Sequence, residues 1–573
     1  MLPVSFDQCA GWLHPAEGAR GIIICGSVGF EDLCGHRSLA ILAERIAKAG
    51  QPALRFDYHG CGDSAGNAED PERMTVWKRN IRSAIEFMRA RTGVTEIGLV
   101  GLRLGSTLAA EIASEIGGVA RLTLLAPLAT GKAYVRELKA LSRVIGPSLE
   151  EPAPGEMIVA GFRFSPETVA SLGALEPALI ENAPAPHILA LGRDALSTHP
   201  VVTRLKALGC DVTADVFDGY DSMMCDPTAS KVPDATLTWV ANWMVEGAPR
   251  EGARPVHPVP ATITGEKYAE SSVRFGHERT LSGVYCRSPN GTPKQAVVIL
   301  NAGAIHHIGW ARGSVEIARR LAASGVASMR IDIGGVGNSF ASPNGASGSL
   351  YALELRKDVS AAIDWLTSQG IAEVSVVGAC SGAYQAMHAA VADARIKRVA
   401  LINQLCFVWG ASYQIQLSAW RATKSAVINA AMEDEAQAAN EASSVINRLM
   451  PYAKKFAKGS FNALMSLSQK ASAGLTKSNI VEDWFETLSA RGVKVSMIYS
   501  DNDPGLTELE RWLGPDGARA TSLPGITKRT LENADHMLTP RHAREALGGM
   551  LFEMLGVEEK VAKPVEDEPA AAA

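Results

Sequence analysis

Cys380 lies in the run Gly378-Ala379-Cys380-Ser381-Gly382, directly after the apolar stretch VSVV and ahead of the helical pattern AYQAMHAAV. A nucleophile on a sharp strand-to-helix turn needs small neighbours, because the backbone there is strained and closely approached. The helix start behind it offers free N–H groups and partial positive charge, which favour a thiolate and an oxyanion alike. Downstream, VKVSMIYS reads as a strand and is followed by Asp501-Asn502-Asp503-Pro504. His536, thirty-three residues past Asp503, ends the run Asn533-Ala534-Asp535-His536 ahead of the closing helix. Nucleophile, acid and histidine in that order suit acyl chemistry: His536 takes the thiol proton, and Asp503 holds the imidazole tautomer and stabilises the imidazolium. Asp501 is the alternative acid. Ser381 is the rival nucleophile, but its own frame, Ala379-Cys380-Ser381-Gly382-Ala383, has alanine at both hinge positions. Ser381 is therefore assigned a backbone role, its N–H forming an oxyanion site with an N–H of the turn Asn301-Ala302-Gly303-Ala304. Gly303 is the assigned donor, with Ala304 nearly as suitable.

The elements that must position these residues occur twice. LRFDYHGCGDS at 54–64 is matched by MRIDIGGVGNS at 329–339, so Asp57 and Asp332 stand 275 positions apart. IIICGSVG at 22–29 pairs with VVILNAGA at 297–304, and LAERIAKAG at 42–50 with IARRLAASG at 317–325. IGLVGLRLGSTLA at 97–109 pairs with VSVVGACSGAYQA at 374–386. Apolar strands alternating with amphipathic helices predict an α/β fold, each copy a mostly parallel sheet flanked by helices. The expected domains are residues 1–248 and 266–556, joined by a Pro/Gly-rich linker at 249–265 and followed by a disordered tail at 557–573. A helical cap insertion follows the elbow in each copy, and in the second it spans 411–480. Phe407, Trp409 and Trp420 near its start either line an apolar pocket or pack in the core.

The first copy departs from this chemistry. Its elbow reads Gly101-Leu102-Arg103-Leu104-Gly105, and arginine cannot act as the nucleophile. Its histidine turn carries Ser222 instead of His, while Asp194 matches the acid. The first domain is expected to be non-catalytic. Arg103 is expected to pair with Asp194, to bind an anion or to reach solvent. His306-His307 has no third ligand at matching spacing, so a polar rim or substrate contact is expected, not a metal site. GGVGNS lacks the third glycine of a dinucleotide loop, and no phosphate-binding loop occurs, so no cofactor is expected.

Composition sets the outer limits. The 573 residues are 47% hydrophobic and 20% charged, which is globular composition. The net charge of −5 gives no reason to expect nucleic acid as a partner. Nine scattered cysteines without a C-x-x-C pair indicate a reducing compartment, read as cytoplasmic. No apolar run approaches the ~20 residues needed to span a membrane, and the start lacks the pattern of a secretory signal. The expected partner is a small acyl ester or thioester, with homo-oligomerisation left open.

Both halves resemble the α/β-hydrolase fold, over about residues 10–250 and 275–555. DIGGVGNS is similar to the strand–turn signature of the serine-aminopeptidase-like branch, and NADHMLTP to its catalytic-histidine turn. Single-domain relatives with these features include hydrolases associated with bacterial exosortase and surface-polysaccharide systems. Cysteine replaces the usual serine, as it does in the related dienelactone hydrolases, polyhydroxyalkanoate synthases and bile-acid-CoA acyltransferases. The resemblance implies two tandem α/β-hydrolase domains with a Cys-His-Asp triad in the second. The implied activity is ester or thioester hydrolysis, with acyl transfer to another acceptor as the alternative. A non-enzymatic interaction module is the reading from a different class.

Overall fold

Short apolar runs such as Ile22–Cys25 and Val297–Leu300 bury both faces only inside a sheet covered on each side, and that is where they lie. A computed structural model of the chain describes residues 1–145, 149–340, 349–437 and 479–560. The first sheet contains β1 (Leu2–Phe6), β2 (Cys9–His14), β3 (Arg20–Cys25), β4 (Ala53–Phe56), β5 (Glu96–Leu102) and β6 (Val119–Leu125). A separate hairpin, β7 (Met157–Val159) and β8 (Phe162–Phe164), precedes the last two strands of that sheet, β9 (His187–Gly192) and β10 (Asp211–Val216). The order across the sheet is β1-β2-β4-β3-β5-β6-β9-β10.

The second sheet contains β11 (Thr262–Thr264), β12 (Ala269–Phe275), β13 (Leu281–Arg287), β14 (Gln295–Leu300) and β15 (Ala327–Asp332). It continues with β16 (Glu373–Ala379), β17 (Ile396–Ile402), β18 (Lys494–Ser500) and β19 (Ile526–Leu531). Its order, β11-β12-β13-β15-β14-β16-β17-β18-β19, repeats the first with one extra edge strand. In both sheets the leading strands pair antiparallel and the rest run parallel. Helices such as Phe30–Lys48 and Leu104–Ile116 in the first domain, and Gly313–Ala323 and Ser381–Ala392 in the second, cover the faces. Two α/β-hydrolase domains therefore stand in tandem. In each, strand order reverses around one strand (β3 or β14), and an open parallel sheet binds ligands at the C-terminal edge of such a switch point.

The two domains meet through a contact that repeats itself. Arg312 donates from Nε to Gly62 O and from Nη1 to Gly66 O, 2.7 Å each, and also to Ser64 O. Arg37, its counterpart in the first copy, donates to Gly337 O at 2.9 Å and reaches Ser339 O at 3.5 Å. Arg330 Nη2 reaches Asp63 Oδ1 at 2.9 Å, and Arg55 Nη2 reaches Asn338 Oδ1 at 2.5 Å. The contacts to Gly62, Ser64 and Asp63 map onto those to Gly337, Ser339 and Asn338 by the 275-residue offset, which is the pattern of an isologous interface.

Two expectations change at the chain's joints. Thr262–Thr264, inside the expected linker, forms edge strand β11 because Ile263 turns inward while the two threonines flank it. The expected tail begins as bound chain: Glu559 takes Arg320 at 2.7 and 3.0 Å, and Lys560 N donates to Ser324 Oγ. Residues 561–573 of that tail, and 438–478 of the second cap, lie outside the described residues. Among the described residues no helix is long and apolar enough to cross a membrane.

Candidate active site

Strand β16 ends at Ala379, and Cys380 turns the chain into the helix Ser381–Ala392 at φ 54°, ψ −115°. A non-glycine residue in such a conformation costs about 1–3 kcal/mol and persists only where its surroundings enforce it. Here they do. A Cβ on Gly378 would lie 2.2 Å from Gly382 O, and one on Gly382 would lie 2.7 Å from Asn301 O. Arg103, at φ 54°, ψ −118°, keeps the same elbow in the first domain, so the backbone outlived the change of side chain.

Past the end of β18, Asp503 is buried and accepts the Gly505 N–H at Oδ1, 2.7 Å away. Its Oδ2 is 2.7 Å from His536 Nδ1, and the His536 imidazole and the Cys380 thiol lie close enough for each to shift the other's ionisation. Asp501 is exposed and accepts from Asn533 N at 3.3 Å, so of the two candidate acids Asp503 is the one that reaches the imidazole. Asn403, after β17, was not singled out from sequence. Its Nδ2 donates to His536 O at 3.0 Å and to Ser500 Oγ at 3.0 Å, and its Oδ1 accepts from Ser500 N, tying the histidine turn to the acid strand. The available signal was a polar residue at the C-terminal end of a buried parallel strand.

Burial pushes the Cys380 thiol upward, but the His536 charge and hydrogen bond, then Arg421 and the Tyr351 hydroxyl, outweigh it and hold the thiol below its usual range. For His536, burial opposes the charge, and Asp503 followed by Cys380 raise it well above the usual imidazole range. All eight other cysteines are shifted up by burial, Cys25 to about 12.

The Gly303 N–H donates to Ser381 Oγ at 2.9 Å, whereas the Ser381 N–H lies in the first turn of its helix, where no intrahelical acceptor exists. Gly303 adopts φ +59°, and a Cβ there would lie 2.6 Å from Thr228 Cγ2 of the first domain. Around the sulfur, Tyr351 Oη lies 3.9 Å from Sγ. The Tyr351 ring stacks on Trp409 (4.0 Å, 2°) and meets Tyr384 edge-on at 5.2 Å. Leu405 and Leu417 complete this wall. Phe407 instead packs on Phe485 in the core, and the Trp420 side chain lies outside the described residues. A cavity of about 80 Å³ beside His536 is bounded by Asn301, Ala302 and Ala379.

In the first domain Arg103 does not pair with Asp194. Its Nε takes Glu31 at 2.8 Å, it also contacts Glu137, and its guanidinium lies over the Tyr134 ring. Asp194 and Ser222 are exposed. The two glutamates neutralise the cation locally, and their identity is invisible in motif spacing. His306 and His307 are not a rim either. Both are buried at the domain interface, where His307 Nε2 is 2.5 Å from Asp63 and Nδ1 is 2.9 Å from Asp332. Asp32, His36 and His306 bring ligand atoms within 4.8 Å of one another. The His36 and His306 rings, however, stack at 3.7 Å and 6°, and parallel rings cannot aim two in-plane lone pairs at one ion.

No protein-family model matches the chain, and no curated protein matches it in sequence. Among solved structures it is similar to the esterase Pf2001 of Pyrococcus furiosus, at 13% identity over 50% of this chain and 92% of that one, with a TM-score of 0.33. It is similar to a dienelactone hydrolase of Anabaena variabilis at 14% identity over 52% and 97%, with a TM-score of 0.30. A thioesterase domain from the curacin biosynthetic pathway is 18% identical over 49% and 99%, with a TM-score of 0.29. Sheet order and the paired elbows put both domains in the α/β-hydrolase fold class.

Proposed function

We propose that the chain is an acyl hydrolase that opens an ester or thioester through an acyl-thioester on Cys380, with a non-catalytic first domain. One observation carries this reading. A thiol on a strained turn is electrostatically coupled to an imidazole that a buried carboxylate holds at 2.7 Å. The Cys380 sulfur attacks the carbonyl carbon, the C–S bond forms, and the carbonyl π electrons move to oxygen, stabilised by the Ser381 N–H. Gly303 adds its N–H once the Ser381 hydroxyl releases it. Collapse expels the alkoxide or thiolate leaving group, which takes the proton from the His536 imidazolium. Water then attacks the thioester, giving a proton to neutral His536, and Cys380 leaves as thiolate. Asp503 remains ionised throughout.

Intact-mass measurement after exposure to p-nitrophenyl acetate or an acyl-CoA tests this. We expect an acyl adduct on the native chain and none on Cys380→Ala; no adduct from any ester or thioester overturns the reading. The apolar wall of Tyr351, Tyr384, Leu405 and Leu417 limits water at the sulfur and supports a second reading, transfer to an acceptor other than water. An adduct that clears only after an amine, sugar or alcohol is added selects transfer over hydrolysis.

A further inference from the structure

Along the cap helix Ala411–Gln437, Leu417, Arg421, Lys424 and Ile428 are spaced by four, three and four residues and share one helix face. This stripe is anchored at both ends. Leu417, 8% exposed, packs in the cluster of Cys380, Tyr351 and Tyr384. Lys424 Nζ is 2.9 Å from Asp226 Oδ2, and Ile428, 1% exposed, sits in the hydrophobic cluster of the first domain. Arg421 is thereby held between the nucleophile and the first domain, its charge acting on Cys380 and Tyr351.

Arg421 is half-buried. Its Nε is buried without a hydrogen-bond partner, and no carboxylate among the described residues forms an ion pair with it. Buried arginines elsewhere are met by carboxylates, as Arg103 is by Glu31 and Glu137 and Arg330 by Asp63 and Glu270, or by carbonyl oxygens, as Arg312 is. A cation withdrawn from water is costly until an anion meets it. In the resting site the Cys380 thiolate meets part of that need. Acylation removes this negative charge and leaves Arg421 facing a neutral thioester.

We propose that Arg421 recognises an anionic group, a carboxylate or a phosphate, on the ester or thioester that Cys380 attacks, while the aromatic wall receives the apolar segment. The inference rests on the acyl-enzyme reading and names the substrate class for it. A carboxylate on the acyl part would stay bound through deacylation. A phosphate on the leaving group would act in acylation alone.

Two matched substrate pairs separate these sources: glutaryl against pentanoyl p-nitrophenyl esters, and thioesters of one acyl chain on phosphopantetheine against pantetheine. We expect the native chain to prefer the anionic member of one pair at least ten-fold in kcat/KM. Arg421→Gln should reduce that preference about ten-fold, and Arg421→Lys should restore part of it. Equal losses on both members of both pairs would confine Arg421 to the thiolate and overturn the proposal. A binding arm needs no turnover: Cys380→Ala protein is titrated with glutarate and with inorganic phosphate while melting is followed. A saturable rise in melting temperature is expected, and adding Arg421→Gln should abolish it. Absence of any anion-dependent shift, with no anionic preference, overturns the proposal. Absence of an acyl adduct instead overturns the acyl-enzyme reading, so the two failures are distinguishable.

Discussion

Arg312 and Arg37 make one contact from opposite sides: Arg312 Nε holds Gly62 O at 2.7 Å, and Arg37 Nη1 holds Gly337 O at 2.9 Å. Both pairs are related by the same 275-residue shift. The two halves thus face each other as subunits of a two-fold dimer would, although one polypeptide carries both.

The two arginines are not equally committed, so their removal should differ. Arg312 is buried and serves three carbonyls; its loss removes the donor to Gly62 O and leaves Ser64 O and Gly66 O to Arg319 at 3.1 and 3.5 Å. Arg312→Ala should cost about 2–3 kcal/mol in urea unfolding. Arg37→Ala, from a half-buried site with two acceptors, should cost less. Equal and small shifts in both variants would show that the interface draws its strength elsewhere.

Cys380 should be alkylated by iodoacetamide ahead of the other eight cysteines at pH 7. Its thiol is held low by His536 and Arg421 against burial, whereas burial raises the others. Loss of the His536 imidazole removes the larger of those two attractions. In His536→Gln the inflection of labelling rate against pH should move upward, and the rate at pH 7 should fall about ten-fold or more. An unchanged profile would mean the imidazole does not set the thiol's ionisation.

Ser381→Ala discriminates between the two hydroxyl and thiol candidates at the elbow. The Ser381 hydroxyl accepts the Gly303 N–H at 2.9 Å, so its removal frees a donor and leaves the Cys380 sulfur in place. Acyl-adduct formation should persist in Ser381→Ala. Its loss in that variant, with retention in Cys380→Ala, would exchange the roles of the two residues.

The duplication and the turn at Cys380 were legible because they are written in local demands: glycines where backbones cross, and apolar runs of strand length. The proximity of Asp503 and His536 was foreseeable from chain order. Contacts across the domain interface were not. Asp63 lies 244 residues from His307, and nothing near either residue marks the other as its partner. Arg103 was misassigned to Asp194 for a related reason, since an arginine's long stem selects whichever carboxylates the fold brings near, here Glu31 and Glu137. Asn403, Tyr351 and Arg421 stand outside any spacing pattern. Their positions depend on how strand ends, a loop and the cap helix converge.

Asp226 gives the first domain a role in the second domain's site. It follows the turn at Ser222, is 1% exposed, and takes Thr228 N at 2.8 Å and Lys424 at 2.9 Å. Thr228 in turn abuts Gly303, so one carboxylate steadies both the Gly303 turn and the cap helix. Asp226→Asn should raise KM and slow iodoacetamide labelling of Cys380, with Asp226→Glu restoring part of both. Melting loss with unaltered KM and labelling would reduce Asp226 to a fold-stabilising residue.

His307 should make stability depend on pH in a direction opposite to that of the carboxylates around it. Burial opposes its charge, but Asp332 and Asp63 on its two nitrogens raise its pKa to about 10, against about 6.5 in the unfolded chain. Its stabilising contribution is therefore complete below about pH 6.5 and is lost as pH rises through about 10. Between those limits the folded chain holds one more proton than the unfolded chain. Unfolding free energy should fall by about 1.4 kcal/mol per pH unit from this group. Burial works against the charge of Asp63 and Asp332 too, yet His307 holds both low, so their contribution is present above about pH 4 and is lost below it. Stability from the cluster should peak between about pH 4 and 6.5. His307→Gln should lower stability by about 3–5 kcal/mol at pH 6 and remove this slope between about pH 7 and 8.5. Parallel curves for the native chain and the variant across that interval would show that His307 is neutral in the folded state.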